Sequence, residues 1–238
     1  IKDPSAYFQT KLYTGGTAEA KTFDGNSNLK PDLFWSKKRG AVQNNFLADS
    51  VRGTTYALVS NTTGASYTNS ETAELTSFDT NGFTFSGTGD TYNGTYQSDS
   101  YVAWGWKANG TGVSNTSGSI TSTVSANTTS GFSIVSYTGT GSLATVGHGL
   151  GVAPAFIIFK DRSTTKNWFI YHQSISPTNG AILNLATNPS ADINYFNNTA
   201  PTSSVFTIGN DNKINPSSNN MIAYCFAEKQ GYSKFGSY

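Results

Sequence analysis

An internal repeat constrains the fold of this chain more than any other feature of its sequence. Short sequence motifs of the first half recur in the second half in the same order, at separations between 120 and 124 residues. A repeat of this length indicates a duplicated structural unit, because each copy is long enough to be a domain. The clearest matches are Phe8 with Phe132, Tyr13 with Tyr137, Pro31 with Pro154, Lys37 with Lys160, Phe83 with Phe206 and Trp104 with Tyr224.

The repeated segments alternate large and small side chains, which is typical of β-strands. In the first copy Val102, Trp104 and Trp106 alternate with Ala103 and Gly105, and residues 222–226 repeat this pattern in the second copy. Because side chains alternate faces along a strand, each copy should have one bulky face and one small face. We expect the bulky face to fill the core of a sandwich and the small face to admit another layer.

Composition agrees with many short strands that are joined by polar turns. Ser, Thr, Asn and Gly make up 109 of the 238 residues, while Phe, Tyr and Trp make up 13% and recur within short apolar runs. The pattern predicts six strands in each copy and no helix of useful length. The predicted strands cover residues 7–14, 31–38, 44–49, 56–60, 82–86 and 100–107, then 132–138, 154–160, 167–172, 181–186, 204–208 and 220–228.

These observations predict an all-β protein built from two tandem, repeated β-sandwich domains of jelly-roll-like form. The flexible composition of residues 109–118 places the boundary there, so repeat 1 covers residues 1–112 and repeat 2 covers residues 113–238. The sequence starts at Ile1 without a methionine and stops in a strand-like segment. We therefore expect it to be a segment of a longer polypeptide.

Charge and hydropathy exclude several classes of function. The net charge is only +1, so the basic surface of a nucleic-acid-binding protein or of a membrane-surface patch is not expected. The longest apolar stretch, residues 152–159, is far shorter than the roughly 20 residues that a membrane-spanning helix needs. One cysteine and two histidines provide few of the side chains that usually bind a transition metal.

The sequence contains no recognisable catalytic motif, and we predict that the protein is not an enzyme. No Gly-x-Ser-x-Gly occurs, and Cys225 lies in mid-strand among apolar residues, where a buried inert thiol is expected. His148 and His172 could form a catalytic pair, but structural hydrogen bonds are the favoured interpretation. Scattered carboxylates leave open glycoside hydrolysis by a pair of acids.

Three short clusters of oxygen-bearing residues are candidates for calcium binding. They surround Asp79, Asp90 and Asp211. The same words are typical of Asx turns, which are the favoured interpretation, and the full EF-hand spacing is missing. We predict no cofactor, with calcium as the alternative.

Carbohydrate binding is the non-enzymatic function that suits polar loops of this kind best. Sugars have apolar faces and hydroxyl groups, which exposed aromatic rings beside Asn, Asp and backbone groups can match. Tyr92, Tyr96, Tyr195 and Phe196 lie in such loops and are the candidate glycan contacts. Single aromatic residues also serve as structural anchors of loops, so both interpretations stay open.

Several longer sequence motifs of the second copy are distinctive. They include Gly131-Phe-Ser-Ile-Val-Ser-Tyr-Thr-Gly139, Val146-Gly-His-Gly-Leu-Gly151 and Ile222-Ala-Tyr-Cys-Phe-Ala-Glu228. These motifs resemble those of a repeated domain in virion proteins of marine bacteriophages that infect cyanobacteria and other ocean bacteria. The first copy resembles this domain more loosely, through words such as Tyr101-Val-Ala-Trp-Gly-Trp-Lys107, and it lacks the His-Gly-Leu-Gly word.

The resemblance implies a structural and adhesive segment of a tail fibre or surface appendage, which lies on the virion surface and contacts polysaccharide of the host cell. The implied partners are other virion proteins and further copies of the same chain, without nucleic acid or membrane insertion. No catalytic residue comes with the resemblance. A head-decoration or appendage-building protein is one alternative, and a glycan depolymerase, which is a glycoside hydrolase, is the alternative from another class.

Overall fold

The computed structural model describes residues 1–16, 19–68, 73–87 and 99–237, and almost all of their regular structure is β. The helical elements of these residues are two short 3-10 turns, Pro4–Ala6 and Gln173–Ile175, and one α-helix, α1 (Ile193–Phe196). None of these described helices is long and apolar enough to cross a membrane. The all-β class that the sequence predicts is confirmed.

The chain divides into two compact units. The first unit comprises Lys2–Thr62 and Ser66–Gly110. The second unit comprises Thr111–Tyr238 together with Ile1 and Thr63–Ala65.

The described part of the first unit contains nine strands, which form two antiparallel sheets. One sheet has six strands in the order β1-β9-β3-β4-β5-β6, and the other has three in the order β2-β8-β7. The strands are β1 (Phe8–Thr14), β2 (Glu19–Lys21), β3 (Leu33–Lys38), β4 (Asn45–Asp49), β5 (Gly53–Val59), β6 (Tyr67–Thr68), β7 (Ala73–Asp79), β8 (Gly82–Gly87) and β9 (Ser100–Trp106).

The second unit has ten strands in its described part. Eight form a sheet in the order β10-β11-β12-β19-β14-β15-β16-β17, and β13 pairs with β18 in a separate two-stranded sheet. The strands are β10 (Val113–Asn115), β11 (Ser122–Asn127), β12 (Phe132–Thr138), β13 (Ala144–Gly147), β14 (Phe156–Asp161), β15 (Phe169–His172), β16 (Asn179–Ile182), β17 (Ser190–Ala191), β18 (Val205–Ile208) and β19 (Asn220–Phe226).

The six-stranded sheet of the first unit and six strands of the eight-stranded sheet of the second unit have the same strand order. The order β1-β9-β3-β4-β5-β6 corresponds, strand by strand, to β12-β19-β14-β15-β16-β17. The register corresponds too, because Trp106 lies opposite Phe8, as its repeat counterpart Phe226 lies opposite Phe132. In these sheets, the motifs that recur in the sequence therefore lie in equivalent strands at equivalent positions.

Each unit buries a hydrophobic core between its sheets. In the first unit the Phe34 ring of β3 packs 4.6 Å from the Phe83 ring of β8, measured between ring centroids. In the second unit Phe159 of β14 packs 5.4 Å from Phe206 of β18, and Phe196 of α1 joins the same core. Apolar faces from separate sheets therefore share one core in each unit.

The face of β9 that lies on the core is the one that carries Ala103 and Gly105. Ala103 belongs to the core, and a Cβ added at Gly105 would lie 2.7 Å from the ring of Phe23, another core residue. The expectation that the bulky face with Trp104 and Trp106 fills the core is wrong. Tyr101 of β9 also reaches this core, while large rings of neighbouring segments, such as Phe23, leave space only for small side chains at positions 103 and 105.

Several strands of the structure are not predicted by the sequence, and β11 shows why. Ser122 shares one face of β11 with the core residue Val124, and Ser125 is fully buried on the opposite face, so both faces of the strand bury a serine. The Ser122 hydroxyl donates to the carbonyl oxygen of Gly147 at 3.1 Å, which satisfies it without water. A strand that buries hydrogen-bonded serines lacks the apolar alternation on which the prediction depends.

Candidate functional site

Three of the residues that the sequence nominates lie outside the described residues. They are the glycan candidates Tyr92 and Tyr96 and the calcium candidate Asp90. The remaining candidates, Tyr195, Phe196, Asp79 and Asp211, are all described.

Tyr195 and Phe196 are core residues rather than exposed rings. Their exposed fractions are 5% and 2%. The Tyr195 ring lies 4.6 Å from that of Phe169, and the Phe196 ring lies 5.3 Å from that of Tyr171. The expectation that these two rings face a sugar is corrected by this burial, because α1 turns both of them inward to anchor its loop.

The two described calcium candidates have hydrogen-bond partners within their own turns. Asp79 accepts from the hydroxyls of Ser77, at 2.6 Å, and Thr84, at 2.7 Å. Asp211 accepts from the backbone N–H of Lys213 at 2.7 Å and from its ammonium at 3.0 Å. Within the described ranges, no group of three His, Cys, Asp or Glu side chains gathers around a common point. Asp211 therefore forms an Asx turn, whereas Asp79 is held by hydroxyl groups.

Two of the nominated segments do come together, although not through the predicted side chains. The backbone N–H of Gly209 donates to the carbonyl oxygen of Tyr195 at 2.7 Å, and the N–H of Asp211 donates to that of Asn194 at 3.1 Å. The loop after β18 is therefore hydrogen-bonded directly to α1.

These segments and the loop after β12 enclose an open cleft of about 360 Å³, which we call the amide cleft. Its lining contains no charged side chain. It is formed by Gly141, Ser142, Leu143, Ile193, Asn194, Asn197, Gly209 and Asn210.

One fully buried side chain, that of Asn215, connects two walls of the amide cleft. Its amide nitrogen donates to the carbonyl oxygens of Ser142 and Gly209, both at 2.6 Å. Its amide oxygen accepts from the backbone N–H of Thr140 at 2.7 Å, which assigns the orientation of the group. The backbone around the cleft is thus fixed by contacts that do not involve any ligand.

The side chains that line the cleft are available to a ligand. Asn194, Asn197 and Asn210 are exposed, and their side-chain amides make no hydrogen bond to another described residue. Leu143 and Ile193 flank them with exposed fractions of 60% and 57%. Each amide offers two donors and an acceptor, and the two aliphatic side chains offer an apolar surface.

This combination is chemically suited to a neutral polyhydroxylated molecule. A hydroxyl group both donates and accepts, and so does a side-chain amide, whereas a carboxylate only accepts. The carbon-bound hydrogens of a sugar ring can pack on Leu143 and Ile193. The lining offers no charged side chain that would pair with an ionic ligand.

The two histidines have separate structural roles. His148 is fully buried, and burial lowers its pKa from the ordinary value of 6.5. Its Nε2 lies 3.1 Å from the carbonyl oxygen of Thr202, and its Nδ1 accepts from the N–H of Leu150. His172 accepts from the N–H of Ser174 at 3.1 Å through its Nδ1. Each imidazole is therefore engaged by backbone groups, and His148 also connects its own loop to the loop that contains Thr202.

Cys225 is fully buried, and this burial raises the pKa of its thiol. A thiol in that environment is not a thiolate at neutral pH and is therefore a weak nucleophile.

The residues that form the cleft could not be singled out from the sequence. The chain contains 23 asparagines, and nothing in the local sequence distinguishes Asn215 from the other 22. What distinguishes it is burial, which depends on how distant loops meet. The loops around residues 195 and 211, which the sequence nominates, border the amide cleft, although the nominated side chains are not the amides that line it.

A model of the family described as a domain of unknown function (DUF7483) matches residues 3–238. The match covers nearly the whole chain, so the protein belongs to this family. No curated protein and no solved structure matches the chain.

Proposed function

We propose that this member of a family of unknown function is a non-enzymatic structural and adhesion protein that contacts neutral glycans at the amide cleft. The observation that carries the proposal is the set of three exposed amides, Asn194, Asn197 and Asn210, around a preformed and uncharged cleft. Each amide that pairs with a sugar hydroxyl contributes about 1 kcal/mol.

Preorganisation supports the proposal. Asn215 fixes the carbonyl groups of Ser142 and Gly209, and the N–H of Gly209 is bonded to α1. Binding therefore needs little ordering of the backbone, and more of the interaction energy remains as affinity. The aliphatic side chains of Leu143 and Ile193 are exposed, so a ligand that covers them removes apolar surface from water, which favours binding.

The biological setting that we propose is the outer surface of a bacteriophage virion. Its support is the resemblance of the repeated words to virion proteins of marine bacteriophages. In this setting the chain is a segment of a tail fibre or surface appendage, its ligand is host-surface polysaccharide, and its partners are other virion proteins and further copies of itself. A head-decoration or appendage-building protein would share the architecture without the ligand.

The finer architecture belongs to the same proposal. We propose that the units are two tandem β-sandwich domains, which correspond to residues 1–112 and 113–238. The shared core between separate sheets in each unit supports the sandwich, and the common strand order supports the tandem arrangement.

Glycan binding is tested on an array of neutral oligosaccharides with the full chain and a double variant, Asn194→Ala with Asn210→Ala. Neither side chain supports the fold through a hydrogen bond to another described residue, so the variant should remain folded. We expect its retention by the oligosaccharides that hold the wild-type chain to be at least about tenfold weaker. Asn188→Ala, at an exposed asparagine outside the cleft lining, is the matched control and should bind normally.

Two outcomes would contradict the proposal. Equal binding by the double variant and the Asn188→Ala control would place any glycan contact outside the amide cleft. New reducing ends after incubation of the wild-type chain with host lipopolysaccharide or capsule would instead identify a depolymerase.

A further inference from the structure

The turn between β3 and β4 in the first unit carries a recess that the proposed function does not use. Residues 37–42 and Val102 line it, and its volume is about 580 Å³. We call it the basic recess, because Lys37, Lys38 and Arg39 are three consecutive cations in a chain whose net charge is only +1.

Contacts to the neighbouring strand and across the turn hold the recess in shape. The backbone N–H of Arg39 donates to the carbonyl oxygen of Ser100 at 2.7 Å, and the Lys38 ammonium pairs with the carboxylate of Asp99 at 2.5 Å. On the other side of the turn, the ammonium of Lys37 donates to the carbonyl oxygen of Gln43 at 3.1 Å. The backbone of the turn is therefore positioned without a ligand.

The charge of the recess is only partly neutralised. Asp99 compensates Lys38, but no described carboxylate lies within ion-pair distance of Lys37 or Arg39. Arg39 is exposed, so its guanidinium can turn toward a bound group and donate a bidentate pair of hydrogen bonds to two anionic oxygens. Among the described residues, therefore, the charges of Lys37 and Arg39 are not paired with a carboxylate.

The recess also has an apolar part. Val42 is fully exposed, which is unusual for a valine, and Val102 lies beneath with an exposed fraction of 8%. A ligand that combines an anionic group with carbon-bound hydrogens could engage both the cations and Val42. An inorganic anion would leave the valine uncovered.

We propose that the basic recess is a second binding site, selective for the sulfate or carboxylate groups of an acidic polysaccharide. Lys37 and Arg39 would hold the anionic oxygens, and Val42 would pack against the sugar ring that bears them. This site lies in the first unit and the amide cleft lies in the second, so either site can fail without the other.

The test measures binding of the full chain to immobilised dextran sulfate, to polygalacturonate and to uncharged dextran. Arg39→Gln removes one cation of the recess, and Lys30→Gln removes an exposed cation of the same unit outside it. We expect Arg39→Gln to bind the acidic polymers about three- to tenfold more weakly, while Lys30→Gln stays close to wild type. Wild-type binding should also weaken between about 20 mM and about 200 mM salt.

The two acidic polymers separate the possible sources of the anionic group. Preference for dextran sulfate assigns a sulfate ester, and preference for polygalacturonate assigns a carboxylate. If Arg39→Gln and Lys30→Gln lose equal amounts of binding to the acidic polymers, the binding is a diffuse electrostatic attraction that does not depend on the recess, and the proposal is overturned. Equal binding to uncharged dextran would overturn it as well.

Discussion

His148 shows how a single buried polar residue can make the stability of the second unit depend on pH. Because Nδ1 accepts from Leu150, the proton of the neutral ring is on Nε2, which donates to Thr202. Protonation would turn Nδ1 into a second donor that faces the N–H of Leu150. The folded state therefore favours the neutral ring, which agrees with the lowered pKa that burial causes.

The pH dependence of unfolding follows from this shift. The folded pKa lies below 6.5, so the unfolded chain takes up a proton first as pH falls. The stability associated with the neutral ring is complete above about pH 6.5 and decreases as pH falls through the lowered pKa. Each unit of difference between the folded and unfolded pKa corresponds to about 1.4 kcal/mol.

We expect the free energy of unfolding of the wild-type chain, measured with urea, to decrease between pH 7 and pH 5. The variant His148→Asn should be less stable at pH 7 but should lose most of this slope. The control His172→Asn should keep it. If His148→Asn keeps the full slope, another group is responsible.

At the scale of elements, the buried side chain of Asn215 holds two loop segments of the second unit together. Its side chain joins the loop after β12 to the end of β18 through hydrogen bonds with Thr140, Ser142 and Gly209. Removing it would leave two carbonyl oxygens and one N–H without their partner. An unsatisfied buried polar group costs about 1–3 kcal/mol.

Asn215→Ala should therefore lower the free energy of unfolding by about 3 kcal/mol, measured by urea titration. The same variant should lose glycan retention, because the walls of the amide cleft are no longer fixed. Asn212→Ala, at an exposed asparagine three residues away, should change stability by less than about 0.5 kcal/mol. Similar stabilities of the two variants would contradict the role assigned to Asn215.

The elements also show how far the sequence predicts this structure. Strands with apolar alternation or continuous apolar runs, such as β9, β14 and β19, are predicted within about two residues. Strands that bury serines, such as β11, are not predicted, and the orientation of β9 is predicted with the wrong face inward. Both failures have the same physical cause. Whether a face of a strand is buried depends on which segment packs against it, and the sequence of the strand does not show which segment that is.

The candidate site follows the same rule. Turn composition identified the loops around Tyr195 and Asp211, since Gly, Asn and Asp are enriched in turns for reasons that a sequence reveals. It did not show that Tyr195 points inward or that Asn194 points outward. That distinction depends on α1, whose four residues are too few to produce a periodic pattern.

At the scale of the whole molecule, the repeat of the sequence corresponds to a repeat of strand order and register. The two units nevertheless differ in the features that carry the proposals. The amide cleft belongs to the second unit and the basic recess to the first. A duplicated fold with different loops would let one chain contact neutral and acidic parts of a polysaccharide at independent sites.

The most direct test of the central claim is a titration of the isotope-labelled full chain, followed through the NMR signals of its side-chain amides. The ligand is a neutral oligosaccharide that the array retains. We expect the signals of Asn194, Asn197 and Asn210 to shift with a common saturation curve while that of Asn188 stays in place. Shifts confined to amides outside the amide cleft, or no shifts at saturating sugar, would contradict the account.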